Sequence, residues 1–469
     1  MAQIKFGTDG WRAAIAEDYT FENVRKVSQA LVTYMQAIGR EKDGLVVGYD
    51  TRFNSEHFAA AVAEVAAANG IHTYLTHSFT PTPVISHAII EKKAGMGAVI
   101  TASHNPSTDN GFKVKPHYGG SASPEIIAEI EKRLDSEVKR MPFNQALKEG
   151  LVEYFDPSAP YFAQLGRMVD LEAIKAADLT LVVDAMYGAG QGYFPRILTP
   201  GNVTVAELHG TRNPIFPGMH NPEPIARNLG ELIKLLTDSP SSEVGIANDG
   251  DADRVGIVDE NGRFMNQLEV FALLALYLLE VKGERGPIIK SVSTTSMVDR
   301  LGQLYGVEVH ETPVGFKYIG PKMMETNALI GGEESGGFGF RGHIPERDGI
   351  LSGLFIADMM IKLKKTASEL LQYLFDKVGP HYYDRIDLQF EQGKRNDIIQ
   401  HVRHNPPKTI AGIPVIRQHD EEFKYYTEDG SWLLIRFSGT EPILRVYTET
   451  IEEAKVQAFL DEGRKLTGV

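Results

Sequence analysis

The chain has 469 residues, 42% of them apolar, enough for several buried cores, which excludes a disordered protein. Its 48 Lys and Arg against 62 Asp and Glu leave a net charge of −14. No long basic stripe offsets this, so nucleic acid is excluded as the partner. There is no cysteine, which removes disulfides, thiolate metal sites and a Cys nucleophile together.

In chain order, the opening MAQIKFGTDGWR has no apolar h-region and reads as no signal peptide. Residues 44–83 run from an apolar strand through a polar loop and an Ala-rich helix to a second strand. The same pattern returns over 179–214 and 287–315. Strands alternating with helices in this way predict parallel βαβ units, so three α/β domains are expected in series. DPSAP (156–160) reads as the first boundary. The longest apolar run, VFALLALYLL (270–279), is too short to span a bilayer and is predicted as a buried helix. From about Tyr373 the pattern changes to short strands, HYYDRIDLQF and WLLIRF among them. It closes on an amphipathic helix, IEEAKVQAFLDEGRKL, so the last domain is a small α+β unit. The expectation is a cytoplasmic protein with no membrane segment.

Four loops carry chemistry. ITASHNPSTDNGFK (100–113) presents a serine, a histidine and a lysine just past an apolar strand. VGIANDGDADRVGIVDENG (244–262) sets Asp249, Asp251 and Asp253 two apart between apolar strands. Read as an extended segment, it puts the three carboxylates on one face. Such charges repel unless a cation neutralises them, and all-oxygen ligands favour a hard divalent ion. An EF-hand is excluded because Arg254 stands where that loop needs Gly and the flanks are strands. GGEESGGFGF (331–340) offers Glu333 and Ser335 on a glycine-rich backbone suited to sugar hydroxyls. RFSGTEP (436–442) provides hydroxyls and backbone N–H groups for an anion, with Arg436 and Arg445 as bidentate donors. P-loop, H-E-x-x-H and G-x-S-x-G patterns are absent. GAGQGY (188–193) fails the dinucleotide pattern at Tyr193.

TASHNP, DGDADR, GEESGG and RFSGTEP, in this order and at this spacing, together with FGTDGWR (6–12), resemble the α-D-phosphohexomutases along the whole chain. The resemblance implies three similar α/β domains plus a smaller C-terminal α+β domain around a central cleft. Their expected ranges are 1–156, 157–257, 258–372 and 373–469. It implies a phosphoserine at Ser103, with His104 beside it and Mg²⁺ on Asp249, Asp251, Asp253 and a phosphoserine oxygen. Lys113 and Arg12 fall at the proton-handling positions, and Arg254 is set to neutralise the transferred group. Lys317, Glu333 and Ser335 would hold the sugar. Arg436, Ser438, Gly439, Thr440 and Arg445 would hold the distal phosphate. The implied reaction interconverts hexose 1- and 6-phosphates of glucose, with mannose tolerated, and needs a hexose 1,6-bisphosphate as activator. The sugar loop reads GEESGG where the dual phosphomannomutase and the glucosamine forms end in His, so Gly337 leaves a phosphoglucosamine mutase open. A metal-dependent sugar phosphatase attacking through Asp249 and a non-catalytic sugar-binding protein are the rival readings. The oligomeric state is not legible.

Overall fold

The computed structural model describes residues 4–239, 243–419, 422–437 and 443–469, apart from the side chain of Gln392. The chain forms two compact units, one of residues 1–292 and 307–370, the other of 293–306 and 371–469.

The first unit is built on three sheets. Strands β1 (Trp11–Ala14), β2 (Leu45–Tyr49), β3 (Thr73–Thr76), β4 (Met96–Ile100), β5 (Asp109–Pro116) and β6 (Val152–Phe155) form the first, ordered β1-β5-β4-β2-β3-β6. Strands β7 (Thr180–Asp184), β8 (Thr204–Leu208), β9 (Val244–Asn248), β10 (Val255–Asp259) and β11 (Phe264–Met265) form the second, ordered β11-β10-β9-β7-β8. The third consists of β12 (Ile288–Ser291), β13 (Val309–Thr312), β14 (Ile330–Gly332) and β15 (Phe338–Phe340), ordered β13-β12-β14-β15.

One motif of four strands underlies all three. In each, a central strand (β2, β7, β12) pairs in parallel with the strand that follows it and, on its other side, with a third strand. That third strand (β4, β9, β14) then folds back as an antiparallel hairpin onto β5, β10 or β15. The three predicted repeats are these parallel βαβ units. The central strand β2 is apolar throughout because both its faces are covered: all five of its residues are buried. The helix Ser55–Ala68 above it is rich in alanine, the best helix former and small enough to pack close to the sheet.

The run at 270–279 is a buried helix as expected, Gln267–Leu276. Asn266 Oδ1 accepts the N–H groups of Leu268 and Glu269 at 3.0 Å each, while Glu269 Oε2 accepts the Asn266 N–H at 3.0 Å. This reciprocal cap fixes the start. The end departs from expectation: Tyr277–Val281 widens into a π turn, where the Tyr277 hydroxyl donates to Asp358 at 2.5 Å. Among the described residues no helix is long and apolar enough to cross a membrane.

The second unit carries an antiparallel sheet of β16 (Tyr382–Gln389), β17 (Thr409–Ile410), β18 (Ile413–Gln418), β19 (Phe423–Thr427), β20 (Trp432–Phe437) and β21 (Ile443–Thr450), ordered β16-β21-β20-β19-β18-β17. The helices Arg395–His404 and Val456–Thr467 supply Val402, Phe459 and Leu460 to a core shared with Tyr425, Leu433 and Val446. The buried Trp432 donates through Nε1 to Glu449 at 2.9 Å, satisfying the one polar atom of a large buried side chain.

Candidate active site

Three of the four loops singled out in the sequence are one and the same connection, repeated. Residues 101–108 join β4 to β5, 249–254 join β9 to β10, and 333–337 join β14 to β15. Each hairpin leaves the C-terminal end of a parallel strand, where open α/β sheets bind their ligands.

Ser103 is buried in the first loop, with φ at +51°. A non-glycine residue in this left-handed region costs of order 1–3 kcal/mol and persists only where its surroundings enforce it. Here the Ser103 N–H donates to Thr101 Oγ1 at 2.8 Å, and its carbonyl accepts from Arg52 Nη2 at 2.7 Å. The conformation aims Ser103 Oγ across to the second loop, where it donates to Asp249 Oδ2 at 2.8 Å.

Asp249, Asp251 and Asp253 are all fully buried, with ligand oxygens within 4.8 Å of one another. They do not meet by strand alternation, as the extended reading had it. Residues 249–254 form a tight turn with Ala252 at φ +58°, and the turn folds the carboxylates together. Burial, then the charges of Asp251 and Asp253, push the Asp249 carboxyl well above the ordinary range. Asp251 Oδ1 and Asp253 Oδ1 are buried without a hydrogen-bond partner. Three converging carboxylates with orphaned oxygens fit a hard divalent cation such as Mg²⁺.

Two cations from the other repeats reach the same turn. Lys113 on β5 places Nζ 2.7 Å from Asp251, 2.9 Å from Asp253 and 2.8 Å from Asp9. Burial alone would lower its pKa, yet Asp251, Asp253 and Asp9 together raise it, so it is held as an ammonium. Arg347, from the segment after β15, donates to Asp253 at 2.7 Å and to Asp9. Arg254 closes the turn through its N–H on Asp249 Oδ1 at 3.0 Å.

Arg12 lies opposite Gly111 in the β1–β5 ladder and donates to Asn105 at 2.7 Å, on the serine loop. His104 Nδ1 is 3.5 Å from Ser103 Oγ. Burial, then the charges of Arg254, Arg12, Lys113 and Arg52, hold its pKa well below the usual range, so the imidazole is neutral. In the third loop Glu333 is buried and pushed up to about 7 by that burial, against the pull of Arg347 and Arg254. Ser335 Oγ is buried with no hydrogen-bond partner, a polar atom open to a ligand hydroxyl. Lys317 sits in the first turn of the helix Phe316–Thr326.

In the second unit Arg436 faces Arg445 across the β20–β21 hairpin, and Arg445 donates to Asp387 at 3.3 Å. Ser438, Gly439 and Thr440 lie outside the described residues.

Four family models match the chain in order, all described as phosphoglucomutase/phosphomannomutase: alpha/beta/alpha domain I over 3–141, domain II over 159–262, domain III over 266–378 and the C-terminal domain over 399–466. The chain belongs to the phosphoglucomutase/phosphomannomutase family. A phosphoglucomutase/phosphomannomutase from Thermococcus kodakarensis is 34% identical over 465 residues, covering 98% of each chain. A phosphoglucosamine mutase from Desulforamulus reducens is 28% identical over 475 residues, covering 99% of each. The crystal structure of a Thermus thermophilus protein of phosphomannomutase type superposes over all of both chains, with a TM-score of 0.87 at 34% identity. The protein is accordingly a phosphohexomutase, an enzyme of intramolecular phosphoryl transfer built from three α/β domains and a C-terminal domain.

This phosphohexomutase holds its site with residues that the sequence reading did not single out. Arg52 donates to the carbonyls of Ser103, Asn105, Pro106 and Asp109, so one buried guanidinium clamps the whole serine loop. Asp9 joins Lys113 to Arg347. Glu346, fully buried, pairs with Lys115, accepts from Ser121 at 2.7 Å and lies 3.2 Å from Arg347 Nε. The sequence signal for Arg52, Glu346 and Arg347 is charge where burial was expected: DTR directly after β2, and PERDG between two apolar runs.

Proposed function

We propose that the enzyme interconverts hexose 1-phosphate and hexose 6-phosphate through a phosphoserine at Ser103, with glucose phosphate preferred and mannose phosphate accepted. The observation that carries this reading is the 2.8 Å bond from Ser103 Oγ to Asp249, which joins a strained, clamped serine to a triad of carboxylates. A phosphatase using Asp249 as nucleophile would have no use for a serine held in that conformation.

Asp249, Asp251, Asp253 and a phosphoserine oxygen would hold Mg²⁺, which when bound neutralises charge on the transferred group. The chain's own residues do the rest. A sugar oxygen bonds to phosphorus as the bond from phosphorus to Ser103 Oγ breaks, and the hydroxyl proton leaves to a neighbouring base. The hexose 1,6-bisphosphate so formed turns round and returns its other phosphoryl group to Ser103. Arg254, Arg12 and Lys113 supply positive charge around the transfer, and the group that took the hydroxyl proton returns it to the departing oxygen. Glu333, Ser335 and Lys317 grip the ring in either orientation. Arg436, Ser438, Gly439, Thr440 and Arg445 hold the phosphate that is not reacting.

A second reading, hexosamine phosphate as substrate, is favoured by the full-length likeness to the phosphoglucosamine mutase of Desulforamulus reducens. Phosphorus NMR separates the two. Glucose 1-phosphate, mannose 1-phosphate and glucosamine 1-phosphate are each incubated with enzyme, Mg²⁺ and a trace of glucose 1,6-bisphosphate. Fastest conversion of the glucose ester supports the proposal, and conversion of the glucosamine ester alone replaces it. Release of free phosphate from all three overturns it.

A further inference from the structure

The segment after β7, Ala185–Gly190, belongs to none of the four chemical loops, yet it packs directly beneath the acidic turn. A Cβ on Gly188 would lie 2.8 Å from the Asp249 carbonyl oxygen and 2.9 Å from Gly250 Cα, so only glycine allows this approach. Ala189 N–H donates to the Gly250 carbonyl at 2.9 Å. On its other side the segment meets the first repeat, where Thr51 Oγ1 donates to the Tyr187 carbonyl at 2.7 Å. Thr51 precedes Arg52, the clamp of the serine loop. The segment therefore keeps the acidic turn in register with the serine loop.

Its shape is strained. Met186 and Tyr187 both have positive φ, +45° and +56°, although neither is glycine. Two such residues in a row need an external hold, and His209 at the end of β8 supplies it. Its carbonyl accepts the Tyr187 N–H at 3.2 Å, and its ring packs against the Tyr187 ring at 4.5 Å. The imidazole lies between two carboxylates, with Nδ1 2.8 Å from Asp184 Oδ1 and Nε2 3.0 Å from Glu231 Oε2. Ionised carboxylates only accept, so both bonds exist together only when both ring nitrogens carry hydrogen. Asp184 Oδ1 also accepts the Met186 N–H at 2.8 Å, which ties the imidazolium to the strained pair. Asp184 is buried, and its other oxygen has no partner.

We propose that His209, as the imidazolium, is a positioning residue that locks the Met186–Tyr187 turn beneath the acidic turn, so that divalent-cation affinity depends on its proton. Asp184 faces it from the end of β7, Glu231 from the first turn of the helix Gly230–Asp238, and the Tyr187 ring from the strained turn. The hydrogen bond to Asp184 raises its pKa above the ordinary 6.5 against the opposing effect of burial, with Glu231 adding to the rise. Loss of the proton breaks one of the two bonds and leaves the Asp184 charge without its counter-ion. The turn that seats Asp249 then loosens.

The inference rests on reading Asp249, Asp251 and Asp253 as cation ligands, and the test keeps the two apart. Mg²⁺ binding to the wild type, His209→Gln and Glu231→Gln is measured by calorimetry at about pH 6 and about pH 8.5, either side of an imidazole titration. His209→Gln should weaken binding at the lower pH by roughly tenfold, as supporting partners of metal ligands do. At the higher pH, as the wild-type ring gives up its proton, the ratio should approach one. Glu231 is exposed, so Glu231→Gln keeps the fold; it should narrow the pH range in which wild-type affinity holds. Ratios to wild type that do not change with pH in either variant overturn the inference while leaving the metal reading intact. Absence of Mg²⁺ binding to the wild type overturns both.

Discussion

Arg52 donates to the carbonyl of Ser103 at 2.7 Å, and the same guanidinium reaches three further carbonyls of the loop. It lies 3.3 Å from the buried Asp50 carboxylate and stacks on Phe216. No other side chain presents five donors in one plane. Arg52→Met would leave four carbonyls unpaired and the charge of Asp50 uncompensated, so it should cost roughly 3–5 kcal/mol. Arg52→Lys keeps the charge but not the fork and should recover only part of this. Urea midpoints of the three proteins check it, and a Met variant as stable as wild type would remove Arg52 from its role as clamp.

Ser103 gives a cleaner separation of chemistry from fold. Its hydroxyl makes one short hydrogen bond, to Asp249, so Ser103→Ala should cost no more than about 1 kcal/mol of stability in thermal melts. Turnover should drop roughly 10⁴-fold or more if the hydroxyl is the phosphoryl carrier. Single-turnover conversion of glucose 1-phosphate reads this directly. A loss of roughly tenfold or less would mean that the phosphoryl group travels without Ser103.

The acidic turn predicts opposite effects of one substitution with and without metal. Asp249 is disfavoured as an ion by burial and by Asp251 and Asp253. Asp249→Asn removes that repulsion, so in chelator the variant should be more stable than wild type. With Mg²⁺ at roughly a hundredfold excess over its dissociation constant the wild type should gain about 2.7 kcal/mol and the variant far less. Thermal melts in the two conditions test the crossing; parallel shifts in both proteins would argue against these carboxylates as the ligands.

Much of this was legible because the loops that do chemistry interrupt strong apolar patterns. TASHNP and DGDADR each sit between buried strands, and a polar cluster so framed is hard to read as solvated surface. The repeats were legible from the same alternation. That the serine, metal and sugar loops are the same hairpin in three copies was not, because β5, β10 and β15 differ in length and share little beyond a glycine before an apolar residue. Nor was the geometry of the acidic turn: spacing by two suggests a strand, and only the left-handed Ala252 shows that the chain reverses instead. Arg52, Asp9, Lys115, Glu346 and Arg347 were passed over for a related reason. Each is a charged residue of a type mostly found exposed, and its partner is distant in sequence, as Arg347 is from Asp9 or Glu346 from Lys115.

Gly337 lacks a side chain because Arg347 occupies the space. A Cβ there would lie 2.2 Å from Arg347 Cδ and 2.7 Å from Cγ. Arg347 cannot swing away cheaply, since Asp253 and Asp9, Glu333 and Glu346 hold its three nitrogens from different sides. Gly337→Ala should therefore destabilise by roughly 1–3 kcal/mol, as overpacked cores do, and raise KM for the sugar phosphate. In an Arg347→Ala background the same substitution should be nearly silent, giving a coupling of at least about 1 kcal/mol in the double-mutant cycle. Additive effects would show that the two positions are independent.

Glu333 connects the sugar loop to pH. Burial lifts its pKa from the ordinary 4.5 to about 7, with Arg347 and Arg254 opposing the rise. A carboxyl raised on folding binds its proton more tightly in the native state. Its contribution to stability is thus complete below 4.5 and is lost as pH rises through about 7. The loss amounts to at most about 3 kcal/mol. Glu333→Gln is neutral at every pH and keeps the shape, so the variant should gain on the wild type steadily across that window and run parallel to it above. Urea midpoints of both proteins from pH 4.5 to about pH 8, spanning the two values, measure the gap directly. A gap that is constant over this range would mean that Arg347 and Arg254 keep Glu333 ionised throughout, and that it meets the sugar as a carboxylate with no proton to share.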